Sequence, residues 1–330
     1  MATFSFEQVT PDVILDAIES VGIYPESGLT PLNSYENRVY QFRGEDNKRY
    51  VIKFYRPERW SEFQLQEEHA FSDLLLENEI NVATPLKING NSLHNWQGYH
   101  FCIYPSFGGR MFEMDNLDQL EWLGRILGRM HLVSKQALFE HRPTINIQAD
   151  MEEAQKILQA CDLIPQNIKS TFFHDLSMMV ELCSQQIQNC HFPNIKLHGD
   201  VHAGNILWQE HNAEPEPLLV DFDDCVNGPA VQDIWMMLSG DRQTQIMQLD
   251  TLLSGYEEFN EFDHAQFALI EPLRARRIVC YMAWIAKRWD DIAFQTNFAW
   301  FATEKYWEQQ VLTIKEQISL LSEPSLRLTP

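Results

Sequence analysis

Apolar and polar positions alternate through residues 35–42 (YENRVYQF) and 49–55 (RYVIKFY), with the polar run GEDN at 44–47 between them, and this pattern predicts a β-hairpin. After Pro57 the period lengthens. Ser61 stands where it can cap a helix running to about Asn78, with Phe63, Phe71, Leu74 and Leu75 marking its apolar side. Residues 82–88, the NGNS turn at 89–92 and the run YHFCIYPSF predict further strands, so the first third reads as a small sheet with one helix. From Gly108 onward long helices take over: 120–131 (LEWLGRILGRMH), a segment after Pro165, and three more between about 244 and 321. Phe107, Gly108 and Gly109 sit at the change of character, where glycine permits a backbone reversal that other residues resist. We therefore expect an α+β chain of two lobes, residues 1–107 and 108–330, with no internal repeat and no long linker.

With 330 residues, 45% of them hydrophobic, the chain can bury a large core. Its formal charge of -22 changes the picture more, because such a surface repels nucleic acid and anionic bilayers; partners should be neutral, cationic, or anions bridged by metal. The opening segment MATFSFEQVTPDVI lacks a basic flank followed by an apolar stretch, and the apolar run 278–286 is far short of the ~20 residues of a membrane span. A cytoplasmic location is expected. The cysteines at 102, 161, 183, 190, 225 and 280 form no C-x-x-C pair and read as buried, reduced thiols.

Chemistry concentrates in LHGDVHAGNILW at 197–208 and LVDFDD at 219–224, two stretches joined by a hairpin whose turn is marked by AEPEP at 213–217. Transfer of a γ-phosphoryl group needs hard oxygen ligands for magnesium and a carboxylate that orients the accepting hydroxyl. Protein kinases meet this with H-R-D-x-x-x-x-N followed by D-F-G, and His198, Asp200, Asn205 and Asp221 reproduce that spacing. A zinc pair made of His198 and His202 would want both on one helical face, whereas Gly199 and Gly204 favour an extended loop; loop bracing is the better reading of these histidines.

The pattern H-G-D-x-H-x-x-N resembles that of the Brenner-motif kinases, which include aminoglycoside and choline phosphotransferases and are relatives of the protein kinases. Through SGLTPLNSYENRVYQF at 27–42, VIKFYRPERW at 51–60 and NGPAVQDIWM at 227–236, the chain is most similar to the bacterial stress response kinase A family, over almost its whole length. The resemblance implies a bilobal protein-kinase-like fold, with a nucleotide-covering antiparallel-sheet lobe and a larger helical lobe for catalysis and substrate. It also implies a cytoplasmic, ATP-dependent serine/threonine kinase with a part in stress response. By position, Asp200 matches the catalytic base, Asn205 a magnesium ligand, Asp221 the aspartate that holds magnesium against the phosphates, and Ser34 a residue of the nucleotide loop. One departure is Asp223, where the D-F-G motif has glycine.

Lys53 lies inside the apolar strand V-I-K-F, where a charge is costly without an anionic partner. ATP phosphates and a helix glutamate would serve, and Glu68 is preferred over Glu67 because Phe71, Leu74 and Leu75 trail it on the core-facing side. The nucleotide loop offers only Gly28 and LNSYEN at 32–37, where Ser34 and Asn37 with local amides are candidates to cradle phosphate. Residues 104–108, beginning at Tyr104, should form a hinge that meets the adenine edge, with Phe101 and Ile103 lining the base pocket. Asp233 fits either a buried brace for the catalytic loop or a helix first-turn carboxylate. The aromatic segments within 280–307 fit either helix core or the wall of an acceptor cleft. The cofactors expected are ATP and Mg2+, the acceptor a protein, the chain itself included, and the chain a monomer. A small-molecule kinase of the choline, homoserine or aminoglycoside type shares every residue named.

Overall fold

The computed structural model describes residues 6–188, 190–210 and 215–328. It opens with a helix not expected from the sequence, α1 (Pro11–Ser20), whose signals are nonetheless present: Thr10 accepts a hydrogen bond from the Val13 amide, Pro11 occupies the first turn, and Ile14, Ala17 and Ile18 are buried. The short β1 (Thr30–Pro31) then leads into the hairpin of β2 (Arg38–Arg43) and β3 (Arg49–Phe54). β2 begins three residues later than its alternation suggested, because Glu36 and Asn37 turn away to other partners.

Helix α2 (Glu62–Glu77) starts on a capping box: the Gln64 amide donates to Ser61 Oγ, and the Ser61 amide to Gln64 Oε1 at 2.9 Å. Phe71 and Leu75 are buried, the former burial contributing roughly 2–3 kcal/mol, whereas Phe63 is exposed and stacks on His141. Residues 82–88 form no strand; Val82 makes a single parallel bridge to Leu219, and Pro85 lacks the donor a ladder requires. Strands β4 (His94–Trp96) and β5 (Tyr99–Pro105) complete an antiparallel sheet ordered β1-β2-β3-β5-β4. One face of it packs on α1 through Phe42, Ile52, Phe54, Phe101 and Ile103. Lys53 therefore points to the other face, with Cys102 opposite it in register.

The rest is mainly helical. β6 (Arg110–Met111) precedes α3 (Leu117–Ser134), α4 (Ile147–Gln159) and α5 (Gln166–Ile187). The second of these was missed in the sequence although Ile147, Met151, Ala154 and Leu158 mark its buried side. Strands β7 (Ile195–Leu197), β8 (Ile206–Gln209), β9 (Glu216–Leu219) and β10 (Val226–Gly228) carry the motif segments, and α6 (Gln232–Trp235), α7 (Arg242–Tyr256), α8 (Ile270–Lys287), α9 (Ile292–Asn297) and α10 (Glu304–Leu321) follow. β8 and β9 pair as the expected hairpin; Ala213 and Glu214 of the expected turn lie outside the described residues, while Glu216 and Pro217 belong to β9. The described cysteines are all free thiols, and no described helix is long and apolar enough to cross a membrane.

Glu36, just before β2, ties the sheet to the helices. Its carboxylate accepts from Trp284 Nε1 at 2.6 Å and Arg288 at 2.9 Å and pairs with Arg56 at 3.0 Å, while its carbonyl accepts from Arg56 Nε, so the loop that carries Ser34 is fastened to α8.

Candidate active site

β7 delivers the chain to His198, and the turn that follows is set by buried Asp233. Its carboxylate accepts from the His198 amide at 2.9 Å and the Gly199 amide at 2.8 Å, and meets His131 Nε2 at 3.2 Å, which makes Asp233 a brace for the loop. Gly199 has φ +88°, and a Cβ there would come within 2.2 Å of the Asp224 carbonyl, so both conformation and space demand glycine. His198 stands 3.0 Å from the Val220 carbonyl through Nε2 and accepts from the Asp200 amide through Nδ1. His202 faces the Asp200 carboxylate at 3.3 Å. Each histidine braces the loop and the two share no ligand position.

Asp200 is held on both oxygens, by Arg277 at 2.6 Å and by His202 and Asn205 at 3.3 Å. Burial raises its pKa, but the His202 hydrogen bond and the Arg277 guanidinium outweigh this and hold the carboxyl well below the usual range. Asn205 spends Nδ2 on the Asp200 carbonyl at 3.0 Å, which turns Oδ1 outward as an oxygen donor. Asp221, after β9, sits in the left-handed region at φ 62°, a conformation costing about 1–3 kcal/mol in a residue other than glycine, and its side chain is 52% exposed.

Lys53 meets Asp221 at 2.9 Å, Asp223 at 3.4 Å and Glu68 at 3.5 Å. Burial alone would depress the ammonium, but the three carboxylates together push it well above its ordinary value. Glu67 turns to the 140–142 loop instead, accepting backbone amides there. Two arginines that sequence reasoning missed complete the cluster. Arg142 donates to Glu68 at 2.7 Å and to the Asp223 carbonyl at 2.6 Å, and Arg59 pairs with Asp223 and Asp224. Asp223, the residue in place of glycine, is thus a buried partner of Lys53 and Arg59. Asn37 is buried too; it accepts from the Arg56 amide at 3.1 Å and helps hold Asp223, so it is no phosphate cradle.

Two cavities flank this loop. The first, about 380 Å³, is lined by Ser34, Lys53, Tyr104, Asn205 and Asp221, with Val39, Val51, Ala83 and Leu207 as apolar walls. Phe101 and Ile103 do not line it, since they alternate onto the α1 face of the sheet. The second, about 490 Å³, opens on Asp200 and is walled by the α8 face of Arg277, Tyr281 and Trp284 together with Tyr35 and Phe298. The C-terminal aromatics therefore serve in part as a cavity wall. The donors facing the first cavity, one carboxylate and one amide oxygen, suit a magnesium ion that arrives with phosphate oxygens. No group of three His, Cys, Asp or Glu among the described residues could hold a metal by itself.

Comparison with known proteins places this geometry. The model of the phosphotransferase enzyme family matches residues 28–270. Among solved structures, the fold is similar to amicoumacin kinase hAmiN in complex with AMP-PNP, Ca2+ and Ami (TM-score 0.71, 20% identity, 93% of each chain covered). It is similar also to the microcompartment-associated aminopropanol kinase (TM-score 0.72, 16% identity, 96% of this chain and 99% of that one). These identities speak for the fold alone. The serine/threonine protein kinase RdoA of Salmonella typhimurium strain LT2 is 49% identical over 99% of this chain and 98% of its own. Since stress response kinase A of Escherichia coli strain K12 is likewise 50% identical over 100% of this chain and 98% of its own, the chain belongs to the stress response kinase A family of phosphotransferases.

Proposed function

We propose that this phosphotransferase moves the γ-phosphoryl group of ATP, with magnesium, to serine or threonine hydroxyls of proteins. The observation that carries this reading is a pair of cavities on either side of one loop, one lined by Lys53, Asn205 and Asp221 and the other by Asp200. The first takes the nucleotide, with the adenine edge at the segment that begins with Tyr104, Ser34 over the phosphates, and Lys53, held by Glu68, on the phosphate oxygens. Asn205 and Asp221 hold magnesium, whose chemistry here is to neutralise the charge of the phosphates. Asp200 orients the acceptor hydroxyl. As its oxygen bonds to the γ-phosphorus, the bond to the β,γ-bridging oxygen breaks, ADP leaves with that electron pair, and the hydroxyl proton passes to Asp200. Lobes divide at Phe107 and Gly108, and the enzyme works in the cytoplasm as a monomer that can also phosphorylate itself.

The named activity of the Salmonella relative supports a protein acceptor. A small-molecule acceptor is the second reading, favoured by an acceptor-side cavity of about 490 Å³, a size that suits a small ligand. Intact-mass measurement after incubation with MgATP and a mixture of protein acceptors tests the two. We expect phosphate on the chain or an acceptor, absent in Asp200→Ala. No added phosphate, together with rapid ADP formation on one metabolite, would replace the protein reading with the small-molecule one.

A further inference from the structure

The acceptor-side cavity concentrates arginine. Although the chain carries -22 overall, this cavity is lined by three arginines, Arg59, Arg276 and Arg277, against two carboxylates, Asp200 and Asp224. Two of the arginines are committed. Arg59 is held by Asp223 and Asp224, and Arg276 donates to Asp150 at 2.7 Å.

Arg277 differs. Its side chain is 45% exposed, and its only hydrogen-bond partner among the described residues is Asp200, at 2.6 Å. Since His202 and Asn205 face the other oxygen of that carboxylate, an acceptor hydroxyl that approaches from the cavity on the Oδ1 side meets Arg277 first. Arg277, at 45% exposure against 38% for His202, is the one that carries a permanent charge and stands on the helix face lining the cavity.

We infer that Arg277 selects the acceptor: its guanidinium covers Asp200 until a carboxylate flanking the acceptor hydroxyl draws it aside, so the enzyme favours serine or threonine beside acidic residues. The inference rests on the protein-kinase reading for the hydroxyl, but the anion preference of the cavity has its own readout. An acidic side chain exchanges one charge-assisted hydrogen bond for another at Arg277 and frees the base in the same movement. A neutral acceptor must break the Arg277 pair with nothing to receive it.

Peptides with a single serine flanked by acidic, neutral or basic residues would be compared on wild type, Arg277→Ala and Arg277→Lys. Affinity would be read by calorimetry with AMP-PNP and magnesium, and kcat and KM by transfer from ATP. We expect wild type to favour the acidic peptide about tenfold, and Arg277→Ala to lose that preference by weakening acidic-peptide affinity about tenfold. Transfer by Arg277→Ala to the neutral peptide should rise, because its base is uncovered, and Arg277→Lys should keep part of the preference. Equal affinity for the three peptides, or an acidic preference retained in Arg277→Ala, would overturn the inference. Transfer to every peptide without preference sinks it alone. Tighter, Arg277-dependent binding of the acidic peptide with no transfer to any peptide leaves it standing and sinks the protein-acceptor reading instead.

Discussion

The two cavities that flank the loop between β7 and β8 are built from different materials. The nucleotide-side cavity is walled by strands and anchored below by a buried cluster in which Lys53, Arg59 and Arg142 each contact at least two acidic or carbonyl partners. The acceptor-side cavity is walled by one face of α8 and by aromatic rings; it borrows Arg59 and Asp224 from the edge of that cluster, and on its α8 side an exposed ion pair joins Arg277 to Asp200. The first holds its groups by mutual satisfaction, so a single change is felt throughout. The second varies by exchanging side chains on a helix surface without disturbing the cluster, which is how one reaction is aimed at different acceptors.

The comparison breaks most sharply at the carboxylates on the seam. Asp221→Ala should abolish turnover and weaken metal-dependent nucleotide binding. Asp200→Ala should lower kcat by about 10²–10⁴-fold while leaving MgATP affinity nearly intact, since it serves the acceptor side. Calorimetric titration with MgATP separates the two, and equal loss of affinity in both variants would mean that the cavities are not divided as described.

Within the nucleotide-side cluster, Lys53→Met should cut kcat by about 10²-fold or more with the fold retained, because Arg59 and Arg142 still face the carboxylates. Glu68→Gln should be milder. Steady-state kinetics with circular dichroism as a fold control would check this; an active Lys53→Met enzyme removes the lysine from the mechanism. Gly199→Ala tests the seam itself. The contact with the Asp224 carbonyl and the positive φ predict a stability loss of about 1–3 kcal/mol, read as a lowered Tm.

The smallest effect is on pH. Asp200 has its folded pKa depressed, so its ionised form contributes stability at neutral pH, and that contribution is lost as pH falls toward the folded value. With the base ionised well below neutrality, kcat/KM should show no acid limb from Asp200 between about pH 5 and 7. Removing Arg277 should move that limb upward. A wild-type limb in this range that is unmoved in Arg277→Ala would assign it to another group.

The nucleotide side was legible in sequence because its chemistry is local: His198, Asp200, Asn205 and Asp221 lie on one loop and one hairpin, where spacing and position coincide. Glu68 was reachable because helical period separates it from Glu67. Arg142 carried no such signal, since its contacts with Glu68 and Asp223 join segments far apart in the chain, and a lone arginine reads as surface. Phe101 and Ile103 were placed on the wrong side of the sheet for a related reason. Alternation tells that neighbours face opposite ways, but only the register that sets Lys53 across from Cys102 tells which way. Asp233 needed the fold to choose between its two readings, as did the aromatic helices, because core and cavity wall are both apolar in composition.

The aspartate at 223 has a pharmacological consequence. Many compounds gain selectivity by swinging the segment after the metal-holding aspartate outward and filling the space it leaves. Here that movement would strip Phe222 from its packing on Phe71 and His198, pull Asp223 from Lys53 and Arg59, and leave Arg142 without its carbonyl acceptor. Breaking one buried ion pair by itself costs about 3–5 kcal/mol, which a drug-sized molecule would have to supply from its own affinity. Inhibitors of this enzyme should therefore compete with ATP simply and at once, and a slow-onset phase in progress curves would show the segment to be looser than its partners suggest.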